Sequence, residues 1–179
     1  LVGFVLLNLL VILEVADRLS LKNDLEIARD IQKQMLPRDA FRAEGIETFG
    51  LTRPANTVGG DFYEISQMPD GRVIVAVGDV AGKGSPAALL MALLLAIMRT
   101  LLDEGLEPAP LVERLNLQIA RHSPSSRFIT LFFAVIDPAS GNVEYVNAGH
   151  LPPIVRRRDG TFARLAQGGI ALGLSKKSK

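Results

Sequence analysis

The chain of 179 residues has 20 basic and 19 acidic residues, a formal net charge of +1 and 48% hydrophobic residues. This length and composition fit one globular domain, exclude wholesale disorder and give no sign of nucleic-acid binding. Because the chain has no cysteine and two histidines, disulfides and thiolate metal sites are excluded and a histidine-rich zinc centre is not expected. Oxygen ligands would favour magnesium, manganese or calcium. The basic clusters at residues 156–158 and 176–179 are short, and we interpret them as a solvated strand or turn and a tail.

Residues 1–13 are apolar apart from Gly3 and Asn8. This run is shorter than the roughly 20 residues that span a bilayer, and it lacks the basic start and cleavage site of a signal peptide. It is either the remaining end of a transmembrane helix or a helix buried against a partner. Because it is apolar on all faces, the membrane interpretation is slightly favoured. The chain starts without methionine, and we expect it to be part of a longer protein.

A second helical pattern runs from Glu14 to Pro37, where proline ends it. Its apolar seam follows heptad steps of four and three, at Leu21, Leu25, Ala28, Gln32 and Met35. The pattern predicts either a coiled coil that could form a homodimer or a first helix packed on its own core. We therefore divide the chain into residues 1–37, an apolar helix with a coiled-coil-like linker, and residues 38–179, the main domain.

The main domain alternates predicted hairpins with one pair of helices. Strands are predicted at residues 45–52, 60–67, 72–80, 128–136, 143–147, 153–157 and 161–165, with turn residues between them. One helix is predicted from Ser85 to Leu102, with Ser85 as its N-cap and Pro86 at its first position. The second is predicted from Pro110 to His122. This order indicates an α+β fold of antiparallel sheets with helices on a face.

Two aspartates are expected to meet at one rim of the sheet. Asp79 ends an apolar strand, and Asp61 precedes the strand predicted to pair with it. Two facing carboxylates repel, so a proton or a divalent cation is expected between them. The backbone carbonyl of Val80, next to several glycines, is a further candidate ligand for a hard cation. The alternative, that both are ordinary turn acids, stays open.

The same glycine-rich turn invites a comparison with phosphate-binding loops. Only three residues separate Gly78 from Gly82, and Gly84 stands where a P-loop has its Ser or Thr. A dinucleotide-binding fingerprint would need a following parallel strand that ends in an acid, and the chain continues into two helices instead. Nucleotide binding is therefore the least favoured function. We interpret Lys83 as a rim residue that steers an anionic substrate.

Four segments occur in one order along the chain: R-P-A-N-T-V-G-G-D-F-Y-E (53–64), G-D-V-A-G-K-G-S-P-A-A-L (78–89), F-I-T-L-F-F-A-V-I-D (128–137) and N-A-G-H-L-P-P (147–153). Together they resemble the metal-dependent serine/threonine phosphatases of the PPM superfamily, in the SpoIIE/RsbU-like bacterial branch that regulates sigma factors by partner switching. The stretch A-R-D-I-Q-K-Q-M-L-P (28–37) resembles the helix that precedes this domain. The resemblance covers residues 26 to about 174.

The resemblance implies two packed antiparallel β-sheets flanked by helical pairs, an αββα sandwich. Asp79 matches the acid that bridges two manganese or magnesium ions, the Val80 carbonyl matches a backbone ligand, and Asp61 matches the acid of the second ion. A metal-activated water would hydrolyse phosphoserine or phosphothreonine on a regulatory partner of the anti-anti-sigma type. Arg53 is a candidate phosphate contact that could equally pair with an acid such as Glu64.

The resemblance also implies regulation. The helices from Ser85 to Leu102 and from Pro110 to His122 resemble the pair that controls metal occupancy. The preceding helix would transmit the state of a sensor or a dimer interface. The catalytic domain is expected in the cytoplasm, with an upstream segment as a candidate membrane tether.

Two later acids of the family pattern are not found, and the Asp-Gly pair at residues 159–160 comes too early to supply one. We therefore expect a C-terminally truncated domain with about half of the metal shell, an incomplete sandwich, weak metal binding and little or no turnover. The alternative function is a regulatory or interaction module without catalysis. We interpret His150 as a hydrogen-bonding residue in a turn and His122 as a partner of its helix dipole.

Overall fold

The computed structural model describes residues 1–54, 56–124 and 126–176. In these residues the chain forms three helices and nine strands, some of them only two or three residues long. In chain order they are α1 (Val2–Met35), β1 (Phe41–Ala43), β2 (Ile46–Thr48), β3 (Phe62–Gln67), β4 (Val73–Val80), α2 (Ser85–Asp103), α3 (Pro108–His122), β5 (Ile129–Ile136), β6 (Val143–Ala148), β7 (Ile154–Arg156), β8 (Phe162–Arg164) and β9 (Gly168–Gly169).

The largest sheet has five strands in the order β3-β4-β5-β6-β9. Its neighbours pair antiparallel, except for a short parallel contact between β6 and β9 that the sequence did not predict. The pairs β1–β2 and β7–β8 form separate two-stranded sheets. The predicted α+β fold is confirmed. Of the expected sandwich, the described residues form one full layer with one helical pair, and the other strands form only hairpins.

The core lies between one face of this sheet and the helices α2 and α3. Buried residues recur every three or four positions along both helices, at Ala87, Leu90, Met91, Leu94, Leu95, Met98 and Leu101 in α2 and at Leu111, Leu115 and Ile119 in α3. They meet alternate residues of the strands, such as Ala76, Leu131 and Phe133. Burying each large apolar side chain contributes about 1.5–3 kcal/mol. Because side chains alternate between faces, Asp79 and its pair Thr130 lie on the face opposite the helices.

Helix α1 is continuous, and only its last turns pack against the domain. Gln32 is its one buried residue, Leu25 and Met35 are half-buried, and Leu21 and Ala28 are exposed. The predicted seam is therefore not packed along its length against the domain. Every large apolar side chain in residues 1–13 is at least half exposed. Among the described residues, only α2 is long and apolar enough to cross a membrane, and its apolar face is buried in the core.

Several predicted boundaries are wrong. Ser85 is not the N-cap of α2: Gly84 occupies that position, with φ of 71°, and no side chain caps the helix. Helix α3 begins at Pro108 rather than Pro110, because proline is tolerated throughout the first turn. The strand predicted at residues 45–52 is shorter and pairs with an unpredicted strand, β1, around Gly45. With φ of 77°, Gly45 forms a tight turn that other residues disfavour.

Candidate metal centre

The two predicted acids lie opposite each other at the end of the β3–β4 hairpin. Phe62 pairs with Gly78, so the next step of the register places Asp61 across from Asp79. Burial raises the pKa of the Asp79 carboxyl, and the negative charge of Asp61 and a hydrogen bond between the two carboxyls raise that pKa further. Such a pair holds a proton unless a cation neutralises it. The two carboxylates can therefore share a proton or bind a cation between them.

Gly60 brings the backbone close to this pair. A Cβ atom at Gly60 would lie 2.8 Å from the Val80 carbonyl oxygen and 3.1 Å from Asp79 Oδ1. A side chain here would displace both oxygens. Asp61, Asp79 and the Val80 carbonyl thus form a compact set of oxygen donors, which suits Mg²⁺ or Mn²⁺. In the described part of the chain, no group of three or more His, Cys, Asp or Glu residues could hold a metal ion, so the set fits part of a coordination shell.

The acids open onto a cleft of about 450 Å³. Its walls are largely apolar, formed among others by Phe49, Leu51, Ile65, Val75 and Val77, and they also include Arg53. The structure therefore brings Arg53 to the cleft of Asp61 and Asp79. Lys83 is exposed on the loop after β4 and does not line the cleft. The alternative that Arg53 pairs with Glu64 is wrong, because Arg99 binds that carboxylate.

His150 lines the same cleft, which the sequence did not predict. Its Nδ1 is 2.9 Å from Thr130 Oγ1, and its backbone N–H donates to Asn147 Oδ1 at 2.8 Å. Burial lowers the pKa of His150, and the charge of Asp61 opposes this effect. The backbone N–H of His150 thus makes the predicted turn contact, and its imidazole contacts Thr130 and borders the acids. The signal in the sequence is the strand alternation of β5, which places Thr130 beside Asp79.

The loop after the acids is fixed by Arg127. Its Nη1 donates to the Ala81 carbonyl at 2.7 Å, and a Cβ at Gly82 would lie 1.6 Å from the same nitrogen. Gly82 also has φ of 111°, so both its backbone conformation and its contact with Arg127 disfavour a side chain. Arg127 therefore holds the segment between Val80 and the start of α2. No local sequence pattern indicates this contact.

The end of α1 is clamped to the other side of the acid pair. Gln32 Nε2 donates to the Gly59 carbonyl at 2.6 Å, and the Gly59 N–H donates to Gln32 Oε1 at 3.1 Å. One turn later, Arg99 of α2 donates to the Met35 carbonyl at 2.6 Å and to the buried carboxylate of Glu64. The last turn of α1 is thereby tied to the Asp61 loop and to α2.

The two helices predicted to be regulatory, α2 and α3, pack on the face of the sheet opposite the acid pair. Helix α2, with the predicted ends Ser85 and Leu102, starts five residues after Val80 and packs on the opposite face of the sheet. His122 ends α3, and its Nδ1 lies 2.9 Å from the Gln118 carbonyl oxygen, as expected for a residue at a helix C-terminus.

The family model of stage II sporulation protein E (SpoIIE) matches residues 69–179, a range that includes Asp79 and Val80 but not Asp61. The phosphoserine phosphatase RsbU of Bacillus subtilis (strain 168) is 31% identical over 156 residues, which are 87% of this chain and 46% of RsbU. The chain thus spans less than half of that relative.

Two solved structures share the fold. The SiaA-PP2C domain of Pseudomonas aeruginosa superposes with a TM-score of 0.70 at 21% identity, covering 88% of this chain and 65% of that chain. RsbX in complex with magnesium superposes with a TM-score of 0.64 at 19% identity, covering 78% and 68%. At these identities the likeness concerns the fold, which is of the PP2C type.

Proposed function

This chain belongs to the SpoIIE family, and we propose that it is a metal-dependent phosphatase domain that dephosphorylates phosphoserine or phosphothreonine on a regulatory protein. The observation that carries the proposal is the pair of Asp61 and Asp79 beside the Val80 carbonyl. Their mutual effect on ionisation favours a bound divalent cation. The relation to RsbU, whose name states phosphoserine phosphatase, supports the choice of substrate. A partner protein of the anti-anti-sigma type is the proposed carrier of the phosphate.

We propose that Asp61, Asp79 and the Val80 carbonyl hold Mn²⁺ or Mg²⁺, with two ions in the complete site. Such an ion supplies an activated water and neutralises charge on the phosphoryl oxygens. The side chain of Arg53 can donate to a phosphate that enters the cleft, because its guanidinium matches phosphate geometry. Lys83 remains a candidate for steering only.

The decisive experiment measures phosphate release from a phosphoserine peptide with and without Mn²⁺. Asp79→Asn removes one carboxylate and should abolish the manganese-dependent release. Asp103→Asn is the matched control, because Asp103 is exposed at the far end of α2. Measurable and equal manganese-dependent release by the two variants would remove Asp79 from the site.

A second candidate is an interaction module without catalysis. It is favoured by the described residues, which supply two carboxylates and one carbonyl rather than a full shell. Isothermal titration of Mn²⁺ into the chain separates the candidates. Binding that Asp79→Asn removes supports the phosphatase, and no binding by the native chain supports the module.

We also propose that this domain works in the cytoplasm and that residues 1–13 tether it to a membrane. The exposure of every large apolar side chain in this run supports the tether, since water is an unfavourable surrounding for all its faces. Flotation with phosphatidylcholine vesicles tests the tether, with a variant lacking residues 1–13 as control. If the chain forms a homodimer without vesicles and the same deletion makes it monomeric, these residues belong to the dimer interface instead.

Finally, we propose that α2 and α3 set metal occupancy and that α1 relays an upstream signal to them. The contacts of Gln32 and Arg99 support this, since they join α1 to the Asp61 loop and to α2. Replacing Gln32 with methionine tests the first of these contacts through the stability of the chain and its affinity for Mn²⁺.

A further inference from the structure

The β7–β8 hairpin presents one exposed face that the site does not use. Ile154 pairs with Arg164, and Arg156 pairs with Phe162. Directly paired residues and residues two positions apart share one face of a hairpin, so these four side chains lie together. Ile154 is 60% exposed and Phe162 is 69% exposed, and both arginines are exposed as well. We call these four residues the hairpin face.

The hairpin is strongly basic although the chain is nearly neutral. Residues 154–165 contain four arginines, at positions 156, 157, 158 and 164, and one acid, Asp159. Asp159 is engaged in the turn, where its Oδ1 accepts from the backbone and the hydroxyl of Thr161. Within the described residues, none of the four guanidinium groups forms an ion pair. Arginine beside an exposed aromatic ring is typical of a protein-binding surface, and its guanidinium can bind carboxylates in a bidentate manner.

The base of the hairpin is fixed to the rim of the acid cleft by Asn147. This buried side chain donates from Nδ2 to the carbonyls of His150 at 3.1 Å and of Leu165 at 3.4 Å. Leu165 also closes the hairpin through a hydrogen bond to the Pro153 carbonyl. Because His150 lines the cleft of the two aspartates, the hairpin starts at that cleft. Each strand has three residues, so its far end lies only about 10 Å along the strand.

We propose that the hairpin face docks an acidic protein surface that flanks the phosphoserine of the substrate. The inference rests on the proposed phosphatase function and deepens it. A protein whose phosphoserine enters the cleft must lay its neighbouring surface over the rim, where four arginines have no acidic partner among the residues that the structure describes. Carboxylates there would bind the arginines, and apolar side chains would cover Ile154 and Phe162. A membrane on this face is the less favourable occupant, because it would obstruct the rim through which a phosphoprotein enters.

The test compares two charge-reversal variants of the full chain. Arg156→Glu/Arg164→Glu changes the hairpin face, and Arg38→Glu/Arg121→Glu makes the same change of charge at exposed arginines elsewhere. The probes are a fluorescent phosphoserine peptide flanked by aspartates and the same peptide flanked by serines, with binding followed by anisotropy. We expect the hairpin variant to bind the aspartate-flanked peptide about tenfold more weakly and the serine-flanked peptide unchanged. The difference should shrink with added salt.

Equal affinities of the native chain for the two peptides, or equal losses in both variants, would overturn the docking proposal. Hairpin-dependent binding to phosphatidylserine vesicles without an effect on the peptides would assign the face to membranes and also overturn it. Arg156→Gln/Arg164→Gln repeats the comparison without reversed charge, so a folding defect of the first variant leaves the proposal testable. If the native chain binds the acidic peptide through the hairpin yet neither binds Mn²⁺ nor releases phosphate with it, the phosphatase proposal fails and the docking surface stands.

Discussion

Replacing Gln32 with methionine tests whether the N-terminal helix positions the acid pair. The Gln32 side chain is buried, with 7% of the residue exposed, and its amide makes two hydrogen bonds to the Gly59 peptide groups. Gly59 lies two residues before Asp61, so the amide fixes the backbone that carries the carboxylate. Methionine has a similar length and shape but can neither donate to nor accept strongly from a peptide group.

The expected loss of stability follows from these two bonds. A lost intramolecular hydrogen bond costs about 0.5–1.5 kcal/mol net, and a fully buried group left unpaired costs about 1–3 kcal/mol. Gly59 is half-buried, so water can replace part of each bond. We therefore expect Gln32→Met to lower the unfolding free energy by about 2–3 kcal/mol. This corresponds to a Tm that is lower by about 5–10 °C for a chain of this size.

The metal affinity should fall as well. Groups that orient a metal ligand from the second layer typically contribute 10–100-fold to affinity, and Gln32 orients Asp61 through the backbone. Urea denaturation gives the stability, and isothermal titration gives the affinity for Mn²⁺. Gln34→Met is the matched control, because Gln34 is exposed on the same helix.

Two results would contradict this reasoning. If the unfolding free energies of Gln32→Met and Gln34→Met differ by less than about 0.5 kcal/mol, the Gly59 contact contributes no more to stability than an ordinary surface residue does. If Gln32→Met is unstable but binds Mn²⁺ as the native chain does, α1 stabilises the domain without positioning Asp61. The relay proposed for α1 requires both losses.

Three further predictions concern the surroundings of the site. Gly82→Ala should destabilise the chain by about 1–3 kcal/mol more than Gly71→Ala. Both glycines have positive φ, but only a Cβ at Gly82 would clash with the Arg127 side chain. Equal decreases in Tm for the two variants would contradict this. Arg99→Met should cost about 1–3 kcal/mol in urea denaturation, since it leaves the buried Glu64 carboxylate unpaired although the Arg99 side chain is itself partly exposed, and a cost below about 0.5 kcal/mol would contradict the ion pair. Burial lowers the pKa of His150, so the unfolded chain binds more protons below about pH 6.5. The native chain should therefore lose stability relative to His150→Gln as the pH falls below that value, and parallel pH profiles would contradict it.

The sequence predicts the pairing of strands that are neighbours both along the chain and in the sheet. Strands β3 and β4 form a hairpin around a Pro-Asp-Gly turn, so their register follows from the turn, and with it the meeting of Asp61 and Asp79. The α2–α3 pair is likewise indicated by its apolar periodicity. The contact of β6 with β9 depends on only two residue pairs at Gly168–Gly169, which carry no strand pattern. Such a contact follows from the packing of the whole domain.

The residues that support the acids were missed because their partners are distant in the chain. The heptad pattern places Gln32 at a seam position, but it gives no indication that its hydrogen-bond partner is Gly59, 27 residues away. Arg99 lies within an apolar helix and binds Glu64 over 35 residues. A helical pattern shows which face is polar but not which loop that face meets. The roles of Arg53 and Lys83 stay predictions, and of the two only Arg53 lines the cleft.

The acid pair should lower the stability of the metal-free domain. The pKa of Asp79 is raised by burial, by Asp61 and by their hydrogen bond, so the native chain binds more protons than the unfolded chain above pH 3.8. The stability therefore falls as the pH rises from 3.8 through the raised pKa, and the loss persists at pH 7. Asp79→Asn removes this loss and keeps a side chain that can hydrogen-bond to Asp61, so we expect it to melt at a higher temperature than the native chain without metal.

Mn²⁺ should reverse this order. At a concentration 100 times the dissociation constant, the native chain gains about 2.7 kcal/mol from binding, and a variant that cannot bind gains nothing. Differential scanning calorimetry at pH 7 with and without Mn²⁺ measures both effects, with Asp103→Asn as the control for the loss of a surface acid. If Asp79→Asn melts below the native chain in the absence of metal, Asp79 stabilises the fold, and the idea that the acid pair is kept for a cation loses its physical basis.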